Sequence, residues 1–385
     1  MNDAVMSVQA IRLAFVNRFG IEPNIFAVSP GRINLIGEHT DYNDGFVFPA
    51  AIDRGLTIAA RITDGPTQTF SLQLGEGDEF NTTEVKPGFT TSWSKYSAGM
   101  NWALTQSTSK PLPNLIAVVD SNIPIGSGVS SSAALELAFG VVWNELADLG
   151  LTNQELAKLG QVCENKFVGV NSGIMDQMAC ALGKDAMAIF LDTRTLEIQY
   201  APVPEGLSIV LCDTKKERAL TSSAYNERRS QCEQACECMG VAKLRDASLQ
   251  DLELARSKMS EVVYRRAKHV ITENQRCLDF KDALASGNLK EIGELMKASH
   301  ESLRWDYEVS CPELDAMAEA AWTSPGCVGA RMTGAGFGGA CVAMVQTSEL
   351  DAFTSNLLAQ YHATTGRIGE AMACNIVDGS RVLKA

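Results

Sequence analysis

A run of polar side chains between glycines near the start of the chain has the composition of a sugar-binding site. It spans residues 30–43 and brings Arg32, Glu38, His39 and Asp41 within ten residues of one another. Each sugar hydroxyl both donates and accepts a hydrogen bond, so acceptors and donors placed side by side are suited to binding sugars. Taken alone, the segment is equally compatible with a polar surface hairpin whose charges have no common role.

A glycine- and serine-rich segment at residues 124–134 has the features of a phosphate-binding loop. It contains two glycines and four serines. Glycines let the backbone approach a ligand closely, successive N–H groups form an anion nest, and the helix predicted to follow adds the positive end of its dipole. The segment has no lysine, so it is not a Walker A loop. A simple turn before a helix remains the alternative interpretation.

Two acidic residues farther along the chain are candidates for catalysis and metal binding. Asp176 lies in the segment Asn171–Gln177, in the predicted first turn of a helix, and Glu164 precedes it by twelve residues. A lone acid in the first turn of a helix is commonly a partner of the helix dipole. Glu164 by itself is also compatible with a solvated helix residue, so both assignments depend on the other segments.

A second glycine-rich segment lies near the end of the chain, at residues 331–339. Residues 334–339 match the pattern G-x-G-x-x-G, but only 46 residues follow them. That is too few for the remainder of a typical dinucleotide-binding domain. The pattern instead predicts a tight loop pressed against another loop or a ligand.

Periodicity places the glycine- and serine-rich segment at residues 124–134 between a strand and a helix. The continuous apolar run Leu115–Val119 predicts a buried strand, and a helix is predicted over residues 130–149. Thr152 and Glu155 form a capping box for a further helix that runs to about Val168.

The second half of the chain has a different character. Residues 214–300 have a strongly helical composition, residues 340–345 predict a short buried strand, and the prolines within residues 200–206 indicate a domain junction. We therefore predict an α/β (α+β) protein with domains at residues 1–200 and 201–385.

The bulk composition excludes several classes of partner. The 385 residues carry a net charge of −13, which argues against a nucleic-acid or anionic membrane surface. No apolar run is long enough to span a bilayer, and Met1–Ala4 carry an acid with no apolar core after them, so no secretory signal is expected. The eleven scattered cysteines are typical of reduced thiols in a cytosolic protein. We expect a cytoplasmic protein that binds neither nucleic acid nor membranes.

In order and approximate spacing, the segments resemble those of the galactokinases, a family of the GHMP kinase superfamily. Residues 30–43 resemble the galactokinase signature, residues 124–134 the superfamily's ATP-binding motif and residues 331–339 its third motif. Residues 171–177 resemble the galactokinase segment with the catalytic aspartate, and residues 223–229 resemble a segment whose tyrosine contacts the sugar.

This resemblance implies ATP-dependent, Mg²⁺-requiring phosphorylation of the anomeric hydroxyl of galactose, the first committed step of galactose catabolism. It also implies a ribosomal-protein-S5-like N-terminal lobe, a ferredoxin-like C-terminal lobe and an active site in the cleft between them. Arg32 and Asp176 would be the catalytic pair. The other implied site residues are Glu38, His39, Thr40, Asp41, Gly173 and Tyr225 for galactose; Gly126, Ser127, Gly128, Val129, Ser130, Ser131, Ser132 and Trp93, with Tyr96, for ATP; and Ser132 and Glu164 for Mg²⁺.

Two alternatives remain open from the sequence. One is a kinase of the same superfamily that acts on a related sugar, such as N-acetylgalactosamine, galacturonate or arabinose. The other is a galactose sensor without turnover, which in this family is marked by loss of residues in a Ser-Ser-Ala stretch. That stretch is intact here at residues 131–134, so we expect a catalytic protein, active as a monomer, with a small-molecule substrate.

Overall fold

The computed structural model describes residues 7–90, 92–217 and 221–383, which form thirteen β-strands and eleven α-helices. Residues 1–6, which carry the expectation about a secretory signal, lie outside the described residues. The strands are β1 (Ile25–Asn34), β2 (Phe46–Val47), β3 (Pro49–Ile62), β4 (Thr67–Ser71), β5 (Glu76–Phe80), β6 (Leu115–Ser121), β7 (Met187–Asp192), β8 (Ile198–Pro202), β9 (Leu207–Lys216), β10 (Cys327–Thr333), β11 (Gly339–Gln346), β12 (Glu370–Cys374) and β13 (Arg381–Leu383). The helices are α1 (Val8–Phe19), α2 (Lys95–Ser107), α3 (Ser131–Leu146), α4 (Asn153–Val162), α5 (Met175–Leu182), α6 (Thr221–Met239), α7 (Leu249–Leu254), α8 (Glu261–Ser286), α9 (Leu289–Trp305), α10 (Pro312–Thr323) and α11 (Leu350–Thr365).

The largest sheet has six strands in the order β13-β1-β3-β6-β4-β5, and only β4 and β6 run parallel to each other. The pairing of β1 with β3 shifts register between Pro30 and Gly31. A bulge of this kind bends a strand and re-aims the side chains beside it. A Cβ on Gly31 would lie 2.5 Å from the carbonyl oxygen of Val129. The bulge and the glycine together let β1 pass close to the serine-rich loop just before Arg32.

The helix predicted after the serine-rich loop is α3, and it is buried on every side. Its residues from Ala133 to Trp143 are all buried, not only those of the predicted apolar face. The reason is that α3 packs between strands β1 and β3 and the helices α2, α4 and α5. A helix that is apolar all round belongs inside a core, and here that core fixes where the first turn of α3 points.

The capping box predicted for the next helix is confirmed at Thr152 and Glu155. The helix does not continue as an α-helix to Val168, because it becomes a π-helix over Cys163–Val168. Single π-turns in helices are rare and occur frequently at functional sites. Glu164 lies in this turn.

The C-terminal half contains a four-stranded antiparallel sheet in the order β10-β11-β9-β12. Helices separate β9 from β10 and β11 from β12, while β10 and β11 follow each other directly. This β-α-β-β-α-β connectivity is that of the ferredoxin-like fold, as expected. Helices α6 to α9 make up most of residues 214–300, and β11 contains the strand predicted at residues 340–345. The remaining sheet has the order β2-β7-β8.

The two halves contact each other along β1. The last described strand, β13, pairs with β1 from the edge of the large sheet. In addition, the fully buried Arg331 of β10 donates from Nη1 to the carbonyl oxygen of Asn34, 2.9 Å away. The domain boundary near residue 200 falls between β8 and β9 and stays a prediction. Among the described helices, none is both long enough and apolar enough to cross a lipid bilayer.

Candidate active site

An ion pair between β1 and α5 lies at the centre of the cleft. Nε and Nη2 of Arg32 donate to the two carboxylate oxygens of Asp176 at 2.9 and 2.8 Å, and Nη1 donates to the carbonyl oxygen of Gly128 at 2.8 Å. Arg32 is 3% exposed. Burial opposes its charge, but the carboxylates of Asp176 and Glu38 outweigh burial and raise the pKa of Arg32. The pair is therefore a fixed cation with a partly exposed anion beside it.

Asp176 is held from a second direction by the serine-rich loop. It lies in the first turn of α5, and the Ser130 hydroxyl donates to one of its carboxylate oxygens. Ser130 has a left-handed backbone, with φ of 63°, which non-glycine residues adopt at a cost. Strand β1, the loop and α5 thus meet at one carboxylate.

The loop itself leaves the start of α3 open towards the cleft. Gly126 and Gly128 have φ of 79° and 83°, a backbone conformation that glycine adopts without strain. Ser130 does not cap the first turn of α3 with its side chain, because its hydroxyl is bound to Asp176. Ser131 and Ser132 line the same cavity as Asp176. Uncapped N–H groups at a helix N-terminus, beside serine hydroxyls, form a site for an anion.

Glu164 lies behind the loop as a buried carboxylate. The hydroxyls of Ser132 and Ser172 donate to its two oxygens at 2.8 and 2.5 Å. Burial, and then the nearby charge of Asp176, raises the pKa of Glu164. Within the described residues, no group of three or more His, Cys, Asp and Glu side chains is placed to hold a metal ion. The Glu164 carboxylate and the Ser132 hydroxyl are oxygen donors of the kind that suits Mg²⁺, which commonly takes one carboxylate and completes its shell with phosphates and water.

The polar segment after β1, residues 37–46, is called the signature loop below. Its Glu38 is 1% exposed and accepts hydrogen bonds from the Gly334 N–H and from the side chain of Asn34. Arg331 lies 3.7 Å from the same carboxylate. Burial raises the pKa of Glu38, and the two arginines nearby, Arg331 and Arg32, oppose that rise.

His39 is bonded at both ring nitrogens. Nε2 lies 3.2 Å from the Ala335 carbonyl oxygen, and Nδ1 lies 2.8 Å from the hydroxyl of Tyr42, which in turn lies 2.6 Å from the hydroxyl of Tyr307. Burial lowers the pKa of His39 to about 3, so the ring is neutral. Since a carbonyl only accepts, Nε2 carries the proton and Tyr42 donates to Nδ1. A direct hydrogen bond from His39 to a sugar would have to replace the bond to Ala335.

Asp41, Gly173 and Tyr225 form the far wall of the cleft. Asp41 accepts from the Tyr42 N–H at 3.0 Å and from the Met175 N–H at 3.3 Å. Burial, and then the charge of Asp176, raises the pKa of Asp41 to about 7. A Cβ on Gly173 would lie 2.0 Å from the Asp41 carboxylate, so only glycine fits there.

One cavity of about 280 Å³ brings most of the predicted residues together. It is lined by Arg32, Glu38, His39, Asp41, Tyr96, Gly126, Gly128, Val129, Ser130, Ser131, Ser132, Glu164, Gly173, Asp176 and Tyr225.

Three predicted residues are not among those that line this cavity. The Thr40 hydroxyl donates to the Gly37 and Phe46 carbonyls, and the Ser127 hydroxyl donates to the Pro124 carbonyl. Both side chains therefore hold their own loops in shape. Trp93 packs against a hydrophobic core that contains residues of both halves of the chain, and Tyr96, not Trp93, lines the cavity.

Sequence reasoning missed several polar residues that support the cleft. Glu136 of α3 is fully buried and accepts from the side chain of Gln177 at 3.1 Å. Burial, and then the charge of Glu164, raises the pKa of Glu136 well above its usual value. Gly334 and Ala335 also line the cavity. The glycine pattern at residues 334–339 predicted a loop pressed against another loop or a ligand, whereas Glu136 and Gln177 have no comparable signal in the sequence.

Comparison with known protein families covers most of the chain. Residues 13–62 match the model of the galactokinase galactose-binding signature. Residues 97–184 match the N-terminal domain of GHMP kinases, and residues 280–363 match the GHMP kinase C-terminal domain.

Relatives match over nearly the full length. A galactokinase of Lactiplantibacillus plantarum is 42% identical, over 98% of this chain and 100% of the relative, and one of Roseiflexus sp. (strain RS-1) is 40% identical, over 96% and 95%. The crystal structure of Lactococcus lactis galactokinase complexed with galactose superposes with a TM-score of 0.93 at 39% identity, covering 97% of this chain and 99% of that one. The mevalonate kinase of Methanococcus jannaschii, at 19% identity and a TM-score of 0.63, shares the fold. The chain belongs to the galactokinase family of the GHMP kinases.

Proposed function

We propose that this protein transfers the γ-phosphoryl group of ATP to the anomeric hydroxyl of galactose, giving galactose 1-phosphate and ADP. The observation that carries the proposal is the Arg32–Asp176 pair, held between the signature loop and the serine-rich loop in one cavity. Its full-length relatives are galactokinases, and one of them was crystallised with galactose.

Alignment of the two substrates is the main task of such a site. Phosphoryl transfer needs positioning and charge stabilisation more than covalent chemistry. The open start of α3 would bind the phosphates of ATP. Glu38 and Asp41 would bind sugar hydroxyls as acceptors, with Tyr225 beside them. The anomeric oxygen of the bound sugar would then lie between these sugar-binding residues and the phosphates of ATP.

Asp176 and Arg32 would act on the reacting atoms. As the anomeric oxygen bonds to the γ-phosphorus, its proton passes to Asp176, and the bond from phosphorus to the bridging oxygen of ADP breaks with its electron pair on ADP. Arg32 would stabilise the charge on the transferring group. Its two hydrogen bonds to Asp176 also fix the direction of the carboxylate.

Glu164 and Ser132 are the residues that would hold Mg²⁺. When bound, the ion would neutralise charge on the β- and γ-phosphates. The hydroxyl of Ser172 fixes the second oxygen of Glu164, so the carboxylate is oriented before any ligand arrives.

A release assay for ADP, run with ATP and a panel of sugars, tests the proposal. We expect turnover with galactose that exceeds turnover with N-acetylgalactosamine, galacturonate and arabinose by at least about tenfold. Higher turnover with another of these sugars would identify that sugar, and not galactose, as the substrate. Binding of galactose without ADP release would mark a sensor and overturn the assignment.

A further inference from the structure

The signature loop needs support from outside itself. His39 and Asp44 both have left-handed backbones, with φ of 62° and 59°. Such residues are strained and persist only where the surroundings fix them. Gly37 is also crowded, since a Cβ there would lie 2.5 Å from the Phe46 carbonyl oxygen. Neighbouring elements must therefore set the shape that places Glu38 and His39 at the cavity.

The support comes from α8, more than 220 residues away in the sequence. One carboxylate oxygen of Glu273 accepts from the N–H groups of Gly37 and Glu38, at 2.9 and 3.2 Å. These are two consecutive backbone donors of the loop. Glu273 is fully buried, so without it both donors would lose their partner in a dry environment, which is costly.

Two more residues of α8 bind the same loop. Nε2 of His269 lies 3.1 Å from the Glu38 carbonyl oxygen, and the side-chain oxygen of Asn274 accepts from the Phe46 N–H at 3.0 Å. Positions 269 and 273 are four apart, so they lie on one face of the helix, and 274 is adjacent to that face. These side chains hold the loop at both ends.

The protonation states of these groups are fixed by their partners. Burial opposes the charge on Glu273, but Arg276, with Nε 2.7 Å away, and the Ser299 hydroxyl, 2.6 Å away, help to lower its pKa to about 2. Burial lowers the pKa of His269 to about 4. Its Nδ1 lies 2.9 Å from the Ser302 hydroxyl, and Nε2 is the donor because a carbonyl only accepts. At neutral pH, α8 therefore presents one anion and one neutral donor to the loop.

We propose that Glu273 and His269 are positioning residues for sugar recognition: through the backbone of Gly37 and Glu38, they set where the Glu38 carboxylate and the His39 ring stand in the cavity. This inference rests on the proposed function for the identity of the sugar. Neither residue lines the cavity, so neither is a catalytic residue. Their removal should weaken sugar binding and leave nucleotide binding intact, because the serine-rich loop has no part in this network.

Glu273→Gln is the sharpest variant, since it keeps the shape but removes the charge and one acceptor oxygen, so its NH₂ group faces either the two loop N–H donors or Nε of Arg276. We expect the KM and Kd for galactose to rise at least about tenfold, with the Kd for an ATP analogue within about twofold of the parent. Glu273→Asp keeps the charge with a shorter reach, and we expect a smaller rise. Arg266→Gln is the control, because Arg266 is a buried charge on the same helix that binds Gln231, Asp306 and Glu308.

Calorimetry with galactose and with the ATP analogue, beside steady-state kinetics, decides the matter. If Glu273→Gln does not fold, His269→Leu gives the second test, because it removes the donor to the Glu38 carbonyl. Unchanged galactose affinity in a folded Glu273→Gln or His269→Leu protein would overturn the inference, as would an equal loss in Arg266→Gln. A parent protein that binds galactose without phosphorylating it would contradict the proposed function but leave this test intact, because the calorimetric Kd needs no turnover.

Discussion

The carboxylate of Asp176 has three hydrogen-bond donors around it, two from Arg32 and one from Ser130. These three hydrogen bonds fix the orientation of the two carboxylate oxygens. In the proposed base role, Asp176 can receive a proton only from a hydroxyl that approaches from the cleft, where its side chain is partly exposed.

Replacing this carboxylate should remove the chemical step. A positioned base contributes about 10²–10⁴ in rate, so we expect Asp176→Ala to lose at least that much in kcat while an ATP analogue still binds. Asp176→Asn should lose as much, because an amide cannot take the proton. Asp351→Ala is the matched control, since Asp351 also lies in the first turn of a helix but is exposed and does not line the cavity. Near-parental turnover in either Asp176 variant would exclude the base role.

Asp41 predicts a pH dependence of stability. Its pKa is raised to about 7, so the native state keeps a proton that the unfolded state releases above about pH 4. The free energy of unfolding therefore falls as the pH rises through this window. Asp41→Asn removes this titrating group. The free energy of unfolding of the variant minus that of the parent should therefore be about 2–3 kcal/mol more positive at pH 8 than at pH 5. Urea unfolding of both proteins at the two pH values measures this difference. The same difference at both pH values would be inconsistent with a raised pKa of Asp41.

At the scale of elements, the contact between α4 and α5 determines where Glu164 stands. Gly160 precedes Glu164 by four residues, and a Cβ on it would lie 2.9 Å from the buried side chain of Gln177 on α5 and 3.2 Å from Glu136 on α3. The absence of a side chain at residue 160 lets the end of α4 approach both helices. In the π-turn that follows, Cys163–Val168, the Glu164 carboxylate accepts a hydrogen bond from the Ser132 hydroxyl.

Gly160→Ala should disturb this arrangement. Overpacking costs about 1–3 kcal/mol, of which better helix propensity returns up to about 1. We expect a modest loss of stability together with a higher Mg²⁺ concentration for half-maximal activity, because Glu164 moves. Thr152→Ala, which removes the cap of the same helix at a cost of about 1 kcal/mol, should lower stability and leave the Mg²⁺ requirement unchanged. A titration of activity with Mg²⁺ distinguishes the two variants. Identical titration curves for the two would contradict the proposal that Glu164 binds Mg²⁺.

The sequence was informative wherever chemistry needs glycine or clustered polar residues. Arg32, Asp176 and the two glycine loops lie in segments whose composition is unusual, and they meet in the cleft as expected. His269 and Glu273 lie in a long charged helix, where a histidine or glutamate ordinarily faces solvent. Their burial depends on the signature loop packing against α8, a contact that no local pattern records. The π-turn at Glu164 was missed for a similar reason, since the apolar spacing up to Phe167 is also that of an α-helix.

At the scale of the whole molecule, the chain closes on itself through β13. Ser380, just before this strand, shares a hydrogen bond of 2.7 Å with the Ser29 hydroxyl and donates to the Cys180 carbonyl at 2.9 Å. Strand β1 carries Ser29 and Arg32, and Cys180 lies on the helix of Asp176. The segment around Ser380 therefore braces the two elements that carry Arg32 and Asp176.

Removing residues 378–385 should loosen the N-terminal half. The deletion exposes the edge of β1 and breaks several buried hydrogen bonds, each contributing about 0.5–1.5 kcal/mol. We expect a loss of about 2–5 kcal/mol in the free energy of unfolding and a lower melting temperature. Deletion of residues 384 and 385 alone, which leaves β13 in place, is the control. An unchanged melting temperature in the longer deletion would show that β13 adds nothing to the sheet.

The proposed reaction requires the anomeric oxygen of galactose to face ATP across the Arg32–Asp176 pair. The most direct measurement is ³¹P and ¹³C NMR of the reaction of [1-¹³C]galactose with ATP and Mg²⁺. We predict one phosphosugar, formed in equal amount with ADP, whose phosphorus couples to the labelled C1. A phosphorus signal coupled to another carbon, or ADP formed without any phosphosugar, would contradict the placement of the sugar in this cleft.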